Sequence, residues 1–448
     1  MKRFLWLGFV LCVYVICTGC GETYRPIIIP NPPVFPNPKA THTVVSINDN
    51  GTITPGSAMS VDVAGDADMS VAPVGLAPVH AVQQSAGVVL VVNHSVTGAV
   101  ADSLTKLNFS TPVIGSTSTI SLPANSAPNF VATTESARAY VLLPGTVPPS
   151  VAVVSTNSVA ETIPLGINAQ PVAMAETPNA QKLYVASKGD NTVYGFNTVD
   201  RSARTVTGPF NAPLWVVARS DSQRVYVLNG NGDVSTIDIT SSAGPDTVID
   251  ASINAPGAAY MLYDGNLNRL YIPGGSQLTM LDASPSTPTV LAGGPIAIPT
   301  VQPSTRAAGD PCLSTATATL HTIAVTALPD GSRAYVGSYY EDLSDNICPQ
   351  VTVIDAASNT VKGSPIAVPG FPAYDALCSV TRFRLTMAAG GDSSRAYLAS
   401  CDGGGVNIID TFTDTFIVNL HAPIGARAPI PPSPLNPPQS PVFLIAGP

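Results

Sequence analysis

"DGSRAYVGS" at residues 330–338 returns sixty-two positions later as "DSSRAYLAS" at residues 392–400. A chain can spell nearly the same nine letters twice for a shared chemical motif or for a shared architectural unit. Diluted copies elsewhere decide for architecture. They are "ESARAYVLL" (135–143), "ETPNAQKLYVAS" (176–187), "DSQRVYVLN" (221–229) and "DGNLNRLYIPG" (264–274). Each has an acid, a short polar turn, a basic residue, one apolar residue and a tyrosine. The tyrosines are Tyr140, Tyr184, Tyr226, Tyr271, Tyr335 and Tyr397. A seventh copy, "QSAGVVLVVN" (84–93), has lost acid, base and tyrosine.

An apolar run precedes each copy, as in "PLWVVA" (213–218) and "HTIAVTA" (321–327). Another follows, as in "VSTID" (234–238), "VTVID" (351–355) and "VNIID" (406–410). A fourth closes the unit, as in "ETIPL" (161–165) and "FIVNL" (416–420). Four short strands at a period of about 40–50 residues predict an all-β fold, a β-propeller of four-stranded blades. The nonapeptide is then the first hairpin of a blade. Its acid and polar residues suit a tight turn. Its basic residue stands close enough to pair with that acid, a contact worth about 0–1 kcal/mol at a surface. Its tyrosine is placed between blades with the hydroxyl seeking a partner.

The chain ends complement each other. "NPPQSPVFLIAG" (436–447) aligns with a second strand, and "APIPPS" (428–433) offers a first. "HTVVSIN" (42–48) resembles a third strand, and "MSVDVAG" (59–65) or "MSVAPVG" (69–75) a fourth. Such closure hides the edges an open ring would expose. It predicts eight blades, with seven as the alternative if the proline-rich end only decorates the ring.

The stretches "LYVASKGDNTVYGFNTVDRSARTV" (183–206) and "VTVIDAASNTVKGSPIAV" (351–368) resemble the YVTN-type β-propeller repeat family. The family's Thr-Asn is replaced here by Ala186-Ser187 and Gly337-Ser338. The resemblance spans about residues 42–447 and implies a propeller. Relatives include surface-layer proteins, lactonase-like enzymes and a periplasmic single-stranded-DNA-binding propeller.

Composition narrows these choices. Charged residues are 11% of the 448, and the net charge is −9 with no basic cluster, which argues against a nucleic-acid groove. Residues 1–19 read as a lipoprotein signal peptide: "MKR", an apolar run, then Thr18-Gly19 before Cys20. The pattern resembles a bacterial lipobox, with Cys17 where an aliphatic residue is usual, and makes Cys20 the lipid-attachment site. Residues 20–40 hold six prolines and read as an extended tether. Residues 41–448 are the propeller. The expected location is the cell envelope, anchored by lipid, at the outer membrane on its periplasmic side or at the cell surface.

Four cysteines follow the tether, and exported chains pair them. Folding the hairpins back about the turns at Asp330 and Asp392 sets Cys312 opposite Cys348 and Cys378 opposite Cys401. The tyrosine spacing is 42–45 residues as far as Tyr271, then 64 and 62, so the same two blades carry the insertions. Tyr339, Tyr340, Phe371 and Tyr374 lie in or beside them and form the candidate binding face, since long loops on a rigid scaffold commonly carry function. The alternative is that these loops are tolerated insertions. Arg382 and Arg384 in "RFR" share one face of an innermost strand and either pair with a neighbour's Asp or hold an anion. The five histidines have no ligand spacing, and no metal, cofactor or catalytic residue is expected. The functional expectation is a lipid-anchored envelope module that binds or scaffolds an envelope protein or glycan. A lactonase-like enzyme and a nucleic-acid-binding propeller are the alternatives.

Overall fold

A computed structural model describes residues 42–421 and 440–447, apart from 86, 96–97, 99, 111, 243, 302–304, 313–318, 375–376 and 380. Cys20, the leader, the tether and the segment 428–433 lie outside the described residues. The described residues form eight antiparallel blades of four principal strands, with short additions at the outer edges of some. Blades 1–7 span 78–121, 130–164, 171–204, 206–254, 262–297, 321–372 and 385–421. Blade 8 joins 440–446 to 43–73. We call the strands A to D from the inside outward. The A strands touch their neighbours in turn, from Pro78–Ser85 round to Ser440–Ala446 and back, so the ring closes.

The repeated nonapeptide now has a part-by-part explanation. Its acid makes the A–B turn: Asp330 Oδ1 accepts the amide of Ser332 and Asp392 Oδ1 that of Ser394, both at 2.9 Å. The next residue is left-handed, with φ of 70° at Gly331 and 64° at Ser393, which is why small residues stand there. Alternate residues of strand B face opposite neighbours. Ala334 and Val336 pack with blade 5, whereas Tyr335 packs with Leu385 and Leu398 of blade 7. A strand with both faces buried reads as a near-continuous apolar run, unlike a half-exposed one.

The basic residue departs from expectation. Only Arg138 pairs with its own turn acid, Glu135. Arg224, Arg269, Arg333 and Arg395 lie across from the acid that ends strand C, with Arg224 3.2 Å from Asp238 and Arg395 2.9 Å from Asp410, whereas Lys182 faces Asn197. They also reach the next blade. Arg395 makes two bonds to Asp66 of blade 8, Arg269 donates to Ala356 O, and Arg333 meets Asp414. The turn acid is occupied by backbone amides, so the longer side chain finds its partners elsewhere. Tyrosines follow the same direction: Tyr184, Tyr226 and Tyr335 donate to Asp246, Ala283 O and Asp414 of the following blades. All six repeat tyrosines are fully buried.

Closure occurs, but with a different division. The C-terminus supplies only strand A, and the N-terminus supplies B, C and D. "HTVVSIN" is a second strand, not a third. The chain break replaces the turn that carries the acid and the base, so the segment lost the marks by which a B strand is recognised.

Both disulfides form as the hairpin folding required, Cys312–Cys348 and Cys378–Cys401. The strand assignments differ. Cys348 stands early in strand C opposite Tyr340, because strand B of blade 6 runs on to Glu341. In blade 7 the A–B register is Leu385 with Ser400, so Cys378 reaches its partner through an irregular segment. Loops of 36 and 23 residues correspond to about 3–4 kcal/mol each by chain entropy.

Candidate functional site

A ring of A strands leaves an axial space that side chains must fill or line. Here aromatic rings fill its middle. His80 stacks on Phe130 at 3.9 Å, and Phe443 lies 4.5 Å from His80. Trp215 meets Phe130 at 5.5 Å, Tyr260 at 4.9 Å and Phe383 at 5.8 Å, all edge-on. Edge-to-face rings contribute beyond their buried area. His80 is almost fully buried, and its Nδ1 accepts the Val131 amide. Burial, with Arg382 nearby, holds its pKa well below the ordinary value, so the ring is neutral at pH 7.

Arg382 caps this cluster. Its guanidinium lies 4.6 Å from the Trp215 ring centre, 5.4 Å from that of Phe130 and 5.5 Å from that of Phe383. Its Nη1 donates to Val172 O and its Nη2 to Leu214 O. No carboxylate pairs with it among the described residues. Protein surrounds the group, and desolvation lowers its pKa to about 10, which leaves it charged at neutral pH. The side chain nevertheless keeps solvent access through the channel mouth. Arg384, two residues on, is the opposite case. It grips Asp402 through Nε at 2.6 Å and Nη2 at 2.9 Å, and reaches Glu341 at 3.3 Å. Burial works against its charge, but Asp402 outweighs that and holds the pKa above the ordinary value. Pairing with an Asp therefore holds for one arginine of the "RFR" motif and fails for the other.

Above Arg382 opens a cavity of about 610 Å³, the size of a small-molecule site. It lies where the A strands begin, as Pro78, Val172, Leu214 and Val442 on its wall show. Val79, Leu377 and Phe383 add apolar surface, and Asn129, Thr52 and Thr381 add polar groups. Lys188 stands exposed on its lining, with no ion pair among the described residues. Asp49 is buried in the wall, and desolvation raises its pKa to about 7. His94 also lines the cavity, its Nδ1 3.0 Å from Asp102. Burial opposes the Asp102 charge, but His94, the amides of Ser95 and Ala127 and the Ser126 hydroxyl outweigh it. Those bonds stitch blade 1 to the chain entering blade 2, which accounts for the pair without catalysis. A smaller space of about 190 Å³ adjoins on the Tyr339 side and shares Arg382 and Phe383.

The four aromatics of the predicted face do not lie together as one exposed set. Tyr340 is fully buried among blade 5 and blade 6 residues, with Arg306 5.5 Å over its ring. The strand that carries it is longer than the repeat predicts, which turns it into the core. Phe371 lies against Gly403, where a Cβ would come within 2.5 Å of the ring. The Tyr374 amide donates to Asp402 at 2.7 Å, and its ring packs with the blade 8 and Cys378 cluster. Tyr339 lines the smaller space, stacked 5.0 Å from His321 and 5.8 Å from the Arg384 guanidinium. Cys312, Cys348 and Asp342 lie together, but the two sulfurs are bonded to each other and cannot act as thiolate ligands. Sequence reasoning singles out Arg382 but cannot rank it above Arg384. It misses Asp49 and Lys188, which lie far apart in the chain and outside any motif.

Fold and cavity together define a class: an eight-bladed β-propeller with a ligand-sized chamber at one end of its axis. No family model matches the chain, and no curated protein matches it. Similar solved structures include the dihydro-heme d1 dehydrogenase NirN in complex with DHE, with a TM-score of 0.60, 11% identity, 85% of this chain covered and 73% of that one. Apo AztD from Citrobacter koseri gives 0.55 and 9%, covering 90% of this chain and 97% of its own. A functionally unknown protein from Desulfotomaculum acetoxidans gives 0.50 and 10%, covering 84% and 95%. At such identities the likeness shows a shared propeller fold.

Proposed function

We propose that the protein is a lipid-anchored binding module of the cell envelope that takes a small ligand at the mouth of its channel and performs no catalysis on it. One observation carries the binding reading: a charged guanidinium, with no carboxylate partner among the described residues, is accessible on the floor of the cavity of about 610 Å³. A guanidinium beside an open chamber, held by rings and carbonyls and not by a carboxylate, is left to attract an anion. The histidines of this region are otherwise engaged, His80 inside the aromatic cluster and His94 at the seam. Two disulfides suit an oxidising compartment. The reading of Cys20 as the lipidated residue supplies the anchor, since several acyl chains hold a protein firmly at a bilayer.

One preparation tests both halves. Wild type, Cys20→Ser and Leu214→Trp are expressed as full chains, fractionated, and analysed by native mass spectrometry. Cys20→Ser should leave the membrane fraction, and wild type should carry a small-molecule adduct that Leu214→Trp excludes by filling the mouth. Membrane association unchanged in Cys20→Ser would overturn the anchor. A wild type without an adduct, or an adduct that survives in Leu214→Trp, would overturn the site.

A further inference from the structure

The reading of the mouth as a ligand site leaves the ligand's chemistry open, and the lining narrows it. We infer that the chamber takes an organic monocarboxylate, its carboxylate on the outward edge of Arg382 and its apolar body along Val79, Val172, Leu214 and Val442. The inference rests on the binding site proposed above.

Three independent observations support it. The first is the guanidinium itself. It is held flat against Trp215, Phe130 and Phe383, and two of its nitrogens already donate to Val172 O and Leu214 O. A guanidinium has five N–H donors in a rigid fork. The donors left over suit the two oxygens of a carboxylate better than the larger acceptor shell of a phosphate dianion.

The second is the sign of the lining. The chain has a net charge of −9, yet the described lining of the cavity presents Arg382 and Lys188 against one carboxyl, that of Asp49. A cationic well in an acidic protein concentrates anions locally while the surrounding surface disfavours polyanions. A single negative charge satisfies both conditions.

The third is the wall. Most of the residues about Arg382 are aliphatic or aromatic, and a small inorganic anion would leave them wet. An apolar body displaces that water, and the carboxylate takes up the charge of Arg382, which no carboxylate among the described residues pairs. The body could be alkyl or aryl, so the test carries both.

Trp215 reports on the site because its ring touches the guanidinium. The chain has two tryptophans, Trp6 and Trp215, so full-length Trp6→Phe leaves one indole. Its fluorescence is titrated with octanoate, 3-phenylpropionate, the matching amides and inorganic phosphate. At least one carboxylate should give a saturable response, at least ten-fold tighter than its amide, and phosphate none. Arg382→Gln in the same background should weaken the carboxylate at least ten-fold without changing the amide. Arg382→Lys, which keeps the charge but not the fork, should fall between. Should Arg382→Gln fail to fold, the carboxylate-to-amide ratio and Arg382→Lys still decide. Equal affinity for acid and amide would overturn the carboxylate and leave the site standing. Phosphate binding as tightly as the carboxylates would overturn the apolar body. No response from any acid or amide would overturn the inference and the site together.

Discussion

The joint between blades 3 and 4 and the mouth of the channel treat charge in opposite ways. At the joint Asp246 is fully buried and every nearby group answers it. Tyr184 donates at 2.8 Å, Arg204 grips it with Nε at 2.8 Å and Nη2 at 2.9 Å, and Lys182 stands 3.6 Å away. At the mouth Arg382 meets rings and carbonyls but, among the described residues, no carboxylate. Satisfied networks fix one arrangement of two blades and are indifferent to solutes. An unsatisfied charge beside an open chamber adds little to the fold and can change partners. The difference separates the residues that build this molecule from those that can use it.

The largest expected effect belongs to the joint. Asp246→Ala strands Arg204 and Lys182 and should cost about 3–5 kcal/mol, as breaking a buried pair generally does. Denaturant unfolding of the two proteins measures it. A loss under about 1 kcal/mol would mean that the joint is no more than a surface pair, and the contrast with the mouth would collapse.

How far the sequence anticipates this contrast depends on which contacts are local. Blade period, hairpin polarity, the tyrosines' burial and both disulfides depend on neighbours in the chain, and repetition exposes them. The partners of Arg333 and Arg395 do not, because Asp414 and Asp66 belong to the next blade and the repeat period says nothing of contacts one blade away. Tyr340 is misplaced by the repeat for a related reason. Its strand runs past the repeat's usual end, so a residue that counts as loop by its spacing is core in the fold. The division of blade 8 is obscured where the chain break removes the signature. The mouth is the least legible of all. Asp49, Lys188, Leu214 and Arg382 come from four blades, and only the closed ring brings them together.

A second contrast concerns pH and involves one carboxyl in the wall of the mouth. Desolvation raises the Asp49 pKa from 3.8 to about 7, against the pull of the Gly51 and Asn50 amides. The folded state therefore holds this proton more tightly than the unfolded chain does. The stability it contributes is complete below pH 4 and is lost as pH rises through about 7. A tenfold difference in proton affinity between the two states corresponds to about 1.4 kcal/mol. Asp49→Asn keeps an oxygen to accept the Gly51 amide at 2.9 Å and removes the charge. It should leave stability at pH 4 nearly unchanged and raise it at pH 8 by about 1–2 kcal/mol. Thermal or urea unfolding at both pH values checks this. Equal effects at pH 4 and pH 8 would show that Asp49 is not the titrating group.

The smallest expected effect is the most telling, because it compares two arginines two residues apart. Arg382→Met removes a partly desolvated cation that has no counter-ion among the described residues and puts an unbranched apolar chain against Trp215 and Phe383. Relief of desolvation and loss of the ring contacts, worth about 0.5–2 kcal/mol, work against each other. Stability should change by less than about 1 kcal/mol in either direction. Arg384→Met differs because Asp402 is fully buried and loses both of its bonds from this side chain. The cost there should approach that of Asp246→Ala. Urea unfolding of the two variants side by side gives the ratio directly. If Arg382→Met costs as much as Arg384→Met, then the rings and carbonyls around Arg382 hold it as firmly as a carboxylate would. The mouth would then be one more joint of the ring, and the charge on its floor would need no ligand to account for it.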